Sequence, residues 1–337
     1  MTYLPESPDW EKGIRQFEIT DMVQGGPDGT DNIPLKQLAN RTSYLKERAD
    51  GLIADQVDGV GRDLFKILGV NSVQAAMDAL SERCNGTGQP DFSGLMIGDY
   101  IDGIDLSTIP AENEGDAGQP FNSTYINNRI ILSGFNTYRG FGDTENIGNH
   151  LLFTFRNSPI RKRMNPINDN TGGYTASEIR AFLEGLNGDG TGDMPGVTTA
   201  AFMNALIAQL GEGHLVTLRK AHSIKASQAW GNYTVFLPSE LEVIGYPNRG
   251  DEGVFMPALT SPVLPARAAW NTNVQFPIFS NSGVYRIKRY NGARLTWWLQ
   301  TPRADSPAGF ALIGINGLAS NRDASLVRGC APAFCVA

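Results

Sequence analysis

The sequence is poor in the residues that most site chemistry needs. Among 337 residues there are three cysteines, Cys84, Cys330 and Cys335, and three histidines, His150, His214 and His222. An odd cysteine count with a lone Cys84 does not build a disulfide framework. Cys330 and Cys335 are too far apart in sequence for a CxxC redox motif, and no histidine lies near them to complete a zinc set. Buried free thiols are the expectation. Charge is scarce too, at 19% of residues, and it leans acidic, with a net charge of −7. A general nucleic-acid binder needs a basic face, so that class is set aside. No apolar run approaches the roughly 18 residues of a membrane span. The start of the chain, through Trp10, carries neither the basic nor the apolar segment of a secretory leader, which makes synthesis in a cytoplasm the expectation.

Catalytic signatures are equally thin. A Ser-His-Asp site needs a nucleophile beside a positioned base, and no G-x-S-x-G elbow occurs. His214 follows Gly211-Glu212-Gly213 at an expected helix end, where it would meet the negative pole of the helix dipole. Two Asn/Asp/Gly loops, starting at Asn168 and Asn187, place Gly173 and Gly192 where a calcium loop has its glycine. Their twelfth positions are Ile179 and Thr198 instead of the glutamate that such a loop requires. Gly190-x-Gly192 is not followed by Gly-Lys-Ser/Thr, so it is no phosphate loop. These absences lead us to expect no metal, no cofactor and no enzymatic activity.

What is present is pattern. Residues 14–19 alternate as a strand would, and Gly25, Gly26, Pro27, Asp28 and Gly29 supply turn chemistry. Asn32 can cap a helix whose first turn holds Pro34. Along that helix Leu35, Leu38, Thr42, Leu45, Ala49, Leu52 and Gln56 recur at intervals of three and four, an a/d seam that predicts oligomerisation through Leu35, Leu38, Leu45 and Leu52. Ser72 can cap a second helix carrying Val73, Ala76, Met77, Leu80 and Cys84, and the Gly/Pro tract 85–91 reads as a linker. Beyond it, residues 128–133, 151–155, 233–237 and 310–315 read as strands. Helices are expected after a capping box at Thr175–Glu178 and over 198–210. Asn316-Gly317 marks a hairpin turn. The fold class is α+β, in three parts: an N-terminal region 1–58, a helical connector and linker 59–91, and one domain over 92–337.

Two stretches carry a resemblance. Residues 17–29, with Leu38, Ala39, Asn40, Arg41 and Thr42, resemble the start of tail-fibre proteins of Mu-like phages. Met164-Asn165, Gly172-Gly-Tyr174, residues 177–180 and 235–240, Arg286-Ile-Lys288, Trp297-Trp-Leu299, Thr301-Pro302 and residues 330–335 resemble a C-type-lectin-like domain of phage tail proteins. Some members of that group are targets of diversity-generating retroelements, as a major tropism determinant is. The tryptophan pair and the residues from Cys330 bracket the segment that such elements vary, Gln300 to Arg328 here.

The resemblance implies a receptor-binding tail protein: residues 1–58 attach to the tail and to baseplate partners as a homotrimer in the virion, and residues 92–337 meet a host receptor, protein or glycan. The contact set it implies is Asp305, Ser306, Leu312, Ile315, Leu318, Asn321, Arg322, Asp323, Leu326 and Arg328. Neither Glu-Pro-Asn nor Trp-Asn-Asp, the calcium and sugar elements of many C-type lectins, occurs. Trp297 and Trp298 read as core. Two other classes stay open at this point: a structural connector without receptor contact, and a glycan-acting enzyme.

Overall fold

The computed structural model describes the chain except residues 1–6, 8–9, 17, 19, 21, 23, 27–28, 58–60, 86–88, 110–127, 140–147, 186–199, 225–226, 247–274 and 304; within 47–57, 221, 223 and 227–230 it describes the backbone alone. The protein divides into two compact units, residues 1–60 and 61–337. It contains both helices and sheets, a mixed α+β architecture.

In the first unit a long helix, α1 (Ile33–Val57), follows a single 3-10 turn over Thr30–Asn32. Asn32 does not cap it. The Asn32 Nδ2 instead donates to the Gly26 carbonyl at 2.7 Å, tying the Gly-rich turn to the helix start. The described residues among 14–19 form no strand, because the arm packs on side chains of α1. The Ser7 amide donates to Asn40 Oδ1 (2.9 Å), the Arg15 amide to Gln37 Oε1 (2.7 Å), and the Arg41 guanidinium to the Glu11 carbonyl. Trp10 lies against Tyr44, with Arg41 over its ring. Gln37, Asn40, Arg41 and Tyr44 form one helical stripe. The stripe of Leu35, Leu38 and Leu45 lies on another face and is exposed. Side chains beyond Lys46 in α1, Leu52 included, are outside the described residues.

The second unit begins with α2 (Leu64–Leu68) and α3 (Val73–Asn85), each opened by a side-chain cap: Asp63 accepts from the Phe65 amide and Ser72 from the Ala75 amide. These helices are not a connector. Leu64, Ala76, Met77, Leu80 and Cys84 belong to the same buried core as the C-terminal strands, and the Cys84 thiol contacts the Val336 carbonyl. The domain therefore starts near residue 61 instead of 92.

Its strands are β1 (Tyr100–Ile104), β2 (Asn128–Phe135), β3 (Leu151–Phe155), β4 (Ile160–Lys162), β5 (Leu215–Val216), β6 (Leu218–Ile224), β7 (Ser227–Tyr233), β8 (Val235–Phe236), β9 (Lys288–Tyr290), β10 (Ala293–Leu295), β11 (Trp297–Pro302), β12 (Gly309–Ile313), β13 (Ala319–Asp323), β14 (Arg328–Cys330) and β15 (Ala333–Val336). Among the described residues the other α-helices are α4 (Glu178–Glu184), α5 (Ala201–Leu210), α6 (Glu240–Ile244) and α7 (Pro277–Asn281).

One sheet runs β1-β2-β3-β15-β5, with β8 also on β15; a second runs β13-β12-β11-β14-β4; β6-β7 and β9-β10 are separate hairpins. The last strand thus sits in the middle of the first sheet, paired antiparallel with β3 on one side and with β5 and β8 on the other. Its two-sided burial fits its apolar run Ala-Phe-Cys-Val.

Two local expectations are corrected by hydrogen bonding. The strand expected over 233–237 breaks at Thr234, since the Thr234 and Val235 amides both donate to Glu184 Oε1 at the end of α4. Thr175 does not cap α4; Ser177 does, accepting from the Arg180 amide, while Thr175 Oγ1 donates to the Gly172 carbonyl. A complete capping box occurs instead at Ser239 and Glu242, opening α6.

Candidate functional surface

The segment 300–328 lies in the second sheet, and its burial changes sharply from strand to strand. β11 and β12 are buried along their whole lengths, with Trp297, Trp298, Phe310, Leu312 and Ile313 in the core. Each tryptophan satisfies its indole N–H on a backbone carbonyl, Trp297 on Arg286 (2.8 Å) and Trp298 on Lys162 (2.9 Å). β13 is different. Its sequence Ala-Ser-Asn-Arg-Asp is polar, it forms an end of the sheet, and all five residues keep solvent exposure. Register pairs Ala311 with Asn321, Phe310 with Arg322 and Gly309 with Asp323. The Arg322 guanidinium folds back onto the Asn321 carbonyl at 2.7 Å.

The loop from Gly314 to Leu318 joins the two strands. Gly317 has φ +82°, which closes a four-residue turn onto the Gly314 carbonyl (2.9 Å) before the ladder resumes. A side chain on Gly317 would also meet Ile287 Cγ1 at 3.2 Å, so the tip leans on the 283–287 segment. Ile315 and Leu318 project from this tip with 56% and 62% exposure, and Val284 is exposed on the adjoining segment. At the other end of β13, Asp305 pairs with Arg303 (2.5 Å), and Asp323 adds a second negative charge nearby. That base is held from beneath: the buried Asn170 Nδ2 reaches the carbonyls of Ser306 (3.0 Å) and Gly309 (2.5 Å), and its amide N–H meets the Pro307 carbonyl (2.7 Å).

The expected contact set is therefore gathered only in part. Asn321, Arg322 and Asp323 share the edge strand, Asp305 and Ser306 flank its end, and Ile315 and Leu318 sit at the tip. Leu312 is removed from the set: it is fully buried, facing Ser320 across the hairpin from an inner strand. Arg328 is separated from β13 by β11 and β12, about 14 Å at the usual strand spacing, and pairs with Lys162 in the sheet interior. Leu326 lies in the turn between them, its amide bonded to the Asp323 carbonyl. Sequence reasoning missed Val284, Asn170 and Arg303. Asn170 and the chain it supports lie more than 130 residues apart, and no local signal links them.

The groups with catalytic potential are enclosed. Lys220 Nζ meets Glu242 Oε1 at 2.6 Å, Tyr138 donates to the same oxygen, and all three side chains are buried. Arg180 pairs with Glu184 in the same interior (3.1 Å), and Tyr233 shares a 2.7 Å hydrogen bond with His222 Nδ1. Burial pushes the Cys84 thiol up to about 12 and raises Cys330 and Cys335 as well; none of the three is in a disulfide. His150 accepts from the Tyr138 amide at Nε2 and bonds the Gly148 carbonyl through Nδ1, which fixes a neutral ring. His214 lies beside Gly211, the C-cap of α5, and pairs with Asp78 of α3 (2.9 Å).

In the Asn168–Gly173 loop, Asp169 Oδ1 accepts from the amide and hydroxyl of Thr171, and Asn168 Oδ1 accepts from the Ser325 amide. Those oxygens serve the turn. The Asn187–Asp193 loop lies outside the described residues. Among the described residues no three His, Cys, Asp or Glu side chains are placed to share a metal, and no helix is long and apolar enough to cross a membrane.

No family model, curated protein or solved structure matches this chain.

Proposed function

We propose that this chain is a receptor-binding protein of a phage tail, with a C-type-lectin-like second unit that meets the host surface and a first unit that attaches to the tail and trimerises. One observation carries the reading: within a single hairpin, β12 is buried throughout while β13 keeps every residue in reach of solvent. A surface of that kind tolerates residue replacement, since its side chains are not part of the core that holds it. The central position of β15, beside strands from early in the unit, accords with a lectin-like scaffold. The exposed Leu35, Leu38 and Leu45 stripe gives α1 a face suited to other copies of itself. A trimer would multiply a modest contact through avidity, by roughly 10²–10⁴. No aromatic ring lies on β13 or its tip to strengthen a single site.

The test is adsorption of the labelled full-length chain to intact cells of a bacterial strain panel. Binding to at least one strain is expected, with loss on changing Asn321, Arg322 and Asp323 to Ala. Undiminished binding by that variant overturns the assignment of the surface.

A further inference from the structure

A second surface lies on the β9–β10 hairpin. Its turn is Asn291-Gly292, with φ of +48° and +80°, and the resulting register sets Arg289 directly opposite Arg294. Both are exposed. Like charges facing each other across an antiparallel pair destabilise it; the Arg289 guanidinium donates to the Gly292 carbonyl (2.8 Å), but no carboxylate in the hairpin offsets the pair. The chain after β3 adds to the positive charge. The Arg289 amide donates to Asn157 Oδ1 (3.2 Å) and the Ser158 amide to the Arg289 carbonyl (3.0 Å), which brings Arg156 alongside. Arg156 lies 5.4 Å from the Tyr285 ring and bonds the Ile287 carbonyl, and its charge is opposed by those of Arg129 and Arg289. Arg161 sits 5.9 Å from the Tyr290 ring, against the same hairpin.

Arg129 is neutralised by Asp102 at 2.6 Å. Among the described residues Arg156, Arg161, Arg289 and Arg294 form no ion pair with a carboxylate. Four arginines without acidic partners are unexpected in a chain whose acidic residues outnumber its basic ones by 35 to 28. The Arg289–Arg294 apposition is an electrostatic cost to folding, which points to a use outside the fold.

We propose that this face binds an anionic polysaccharide through its sulfate, carboxylate or phosphate groups. Guanidinium forks match all three oxyanions in bidentate fashion. Nucleic acid fits less well: Tyr285 is buried and Tyr290 half-buried, which leaves no free ring for base stacking. The proposal does not depend on the β12–β13 surface, and each can fail alone.

The experiment passes the full-length chain over immobilised heparin and, in parallel, DNA-cellulose. The wild type is expected to stay on heparin at low salt, to elute as ionic strength rises through about 0.15 M, where screening shortens to roughly 8 Å, and to pass through DNA-cellulose. Arg289→Ser with Arg294→Ser, both exposed, should elute at clearly lower salt. Arg294→Gln alone should move in the same direction. The variant altered at Asn321, Arg322 and Asp323 should elute with the wild type, which separates this surface from the adsorption surface. Wild-type protein in the heparin flow-through, unchanged elution of the arginine variants, or retention on DNA-cellulose equal to that on heparin overturns the proposal.

Discussion

At the residue scale, burial decides which side chains can be exchanged. Leu312 and Asn321 are nine positions apart, yet one is sealed in the core and the other lies on an open strand. Leu312→Ala should cost about 2–5 kcal/mol through lost burial and a cavity, whereas Asn321→Ala should stay within about 0.5 kcal/mol; chemical denaturation of both variants checks this. The histidines set the acid limit. Burial is the largest cause that lowers His150 to about 4 and His222 to about 3. A depressed folded-state value means that the unfolded chain takes up these protons first. Stability is then complete above pH 6.5 and is lost as pH falls from there toward 3. Each unit of depression is worth about 1.4 kcal/mol. Thermal midpoints measured from pH 7 to pH 4 should fall steeply, and His150→Gln should flatten part of that fall. Which residues would be core was legible in the sequence for the tryptophan pair, because large aromatics fill cores. It was not legible for Leu312, since a leucine in a strand reads the same on either face of a hairpin.

At the element scale, local chemistry explains both the agreements and the departures. The strands at 128–135, 151–155 and 309–313 stand out in the sequence as apolar β-rich runs, and Ser72 announces α3. The strand at 233–237 failed because a carboxylate from α4, some fifty residues away, takes two of its amides. The Thr175 box failed because Ser177, two residues on, occupies the cap. Two signals of recognised kinds went unread: the Ser239–Glu242 capping box and the Asn291-Gly292 turn, which is the same dipeptide that marked the 316–317 tip. Half of the candidate surface was therefore readable, namely the tip and the polar strand. The rest depends on long-range supports, Asn170 beneath residues 303–309 and the 283–287 segment beneath the tip, that no local pattern reveals.

At the scale of the whole molecule, the sequence reading of three parts put its first border at 58, two residues from the observed division at 60, but set 59–91 apart as a connector although its helices belong to the second unit. The tract around 85–91 has linker composition, yet the helices before it complete the core of the unit that follows, and the division falls at residue 60. Composition cannot show that an amphipathic helix packs forward and not outward. The first unit has its own logic: an arm bound along one stripe of α1 leaves the leucine stripe free. Sedimentation equilibrium should return about three times 36.5 kDa for the full chain, and Leu38→Glu with Leu45→Glu should return the monomer mass; a wild-type monomer contradicts the trimer. The central claim is that a rigid sheet holds an exchangeable strand out toward another surface. Its most direct test reads cell adsorption and thermal midpoint on one preparation of the Asn321, Arg322 and Asp323 to Ala variant. Lost adsorption with a midpoint equal to that of the wild type is the predicted result. Retained adsorption, or a midpoint that collapses along with it, would contradict the claim.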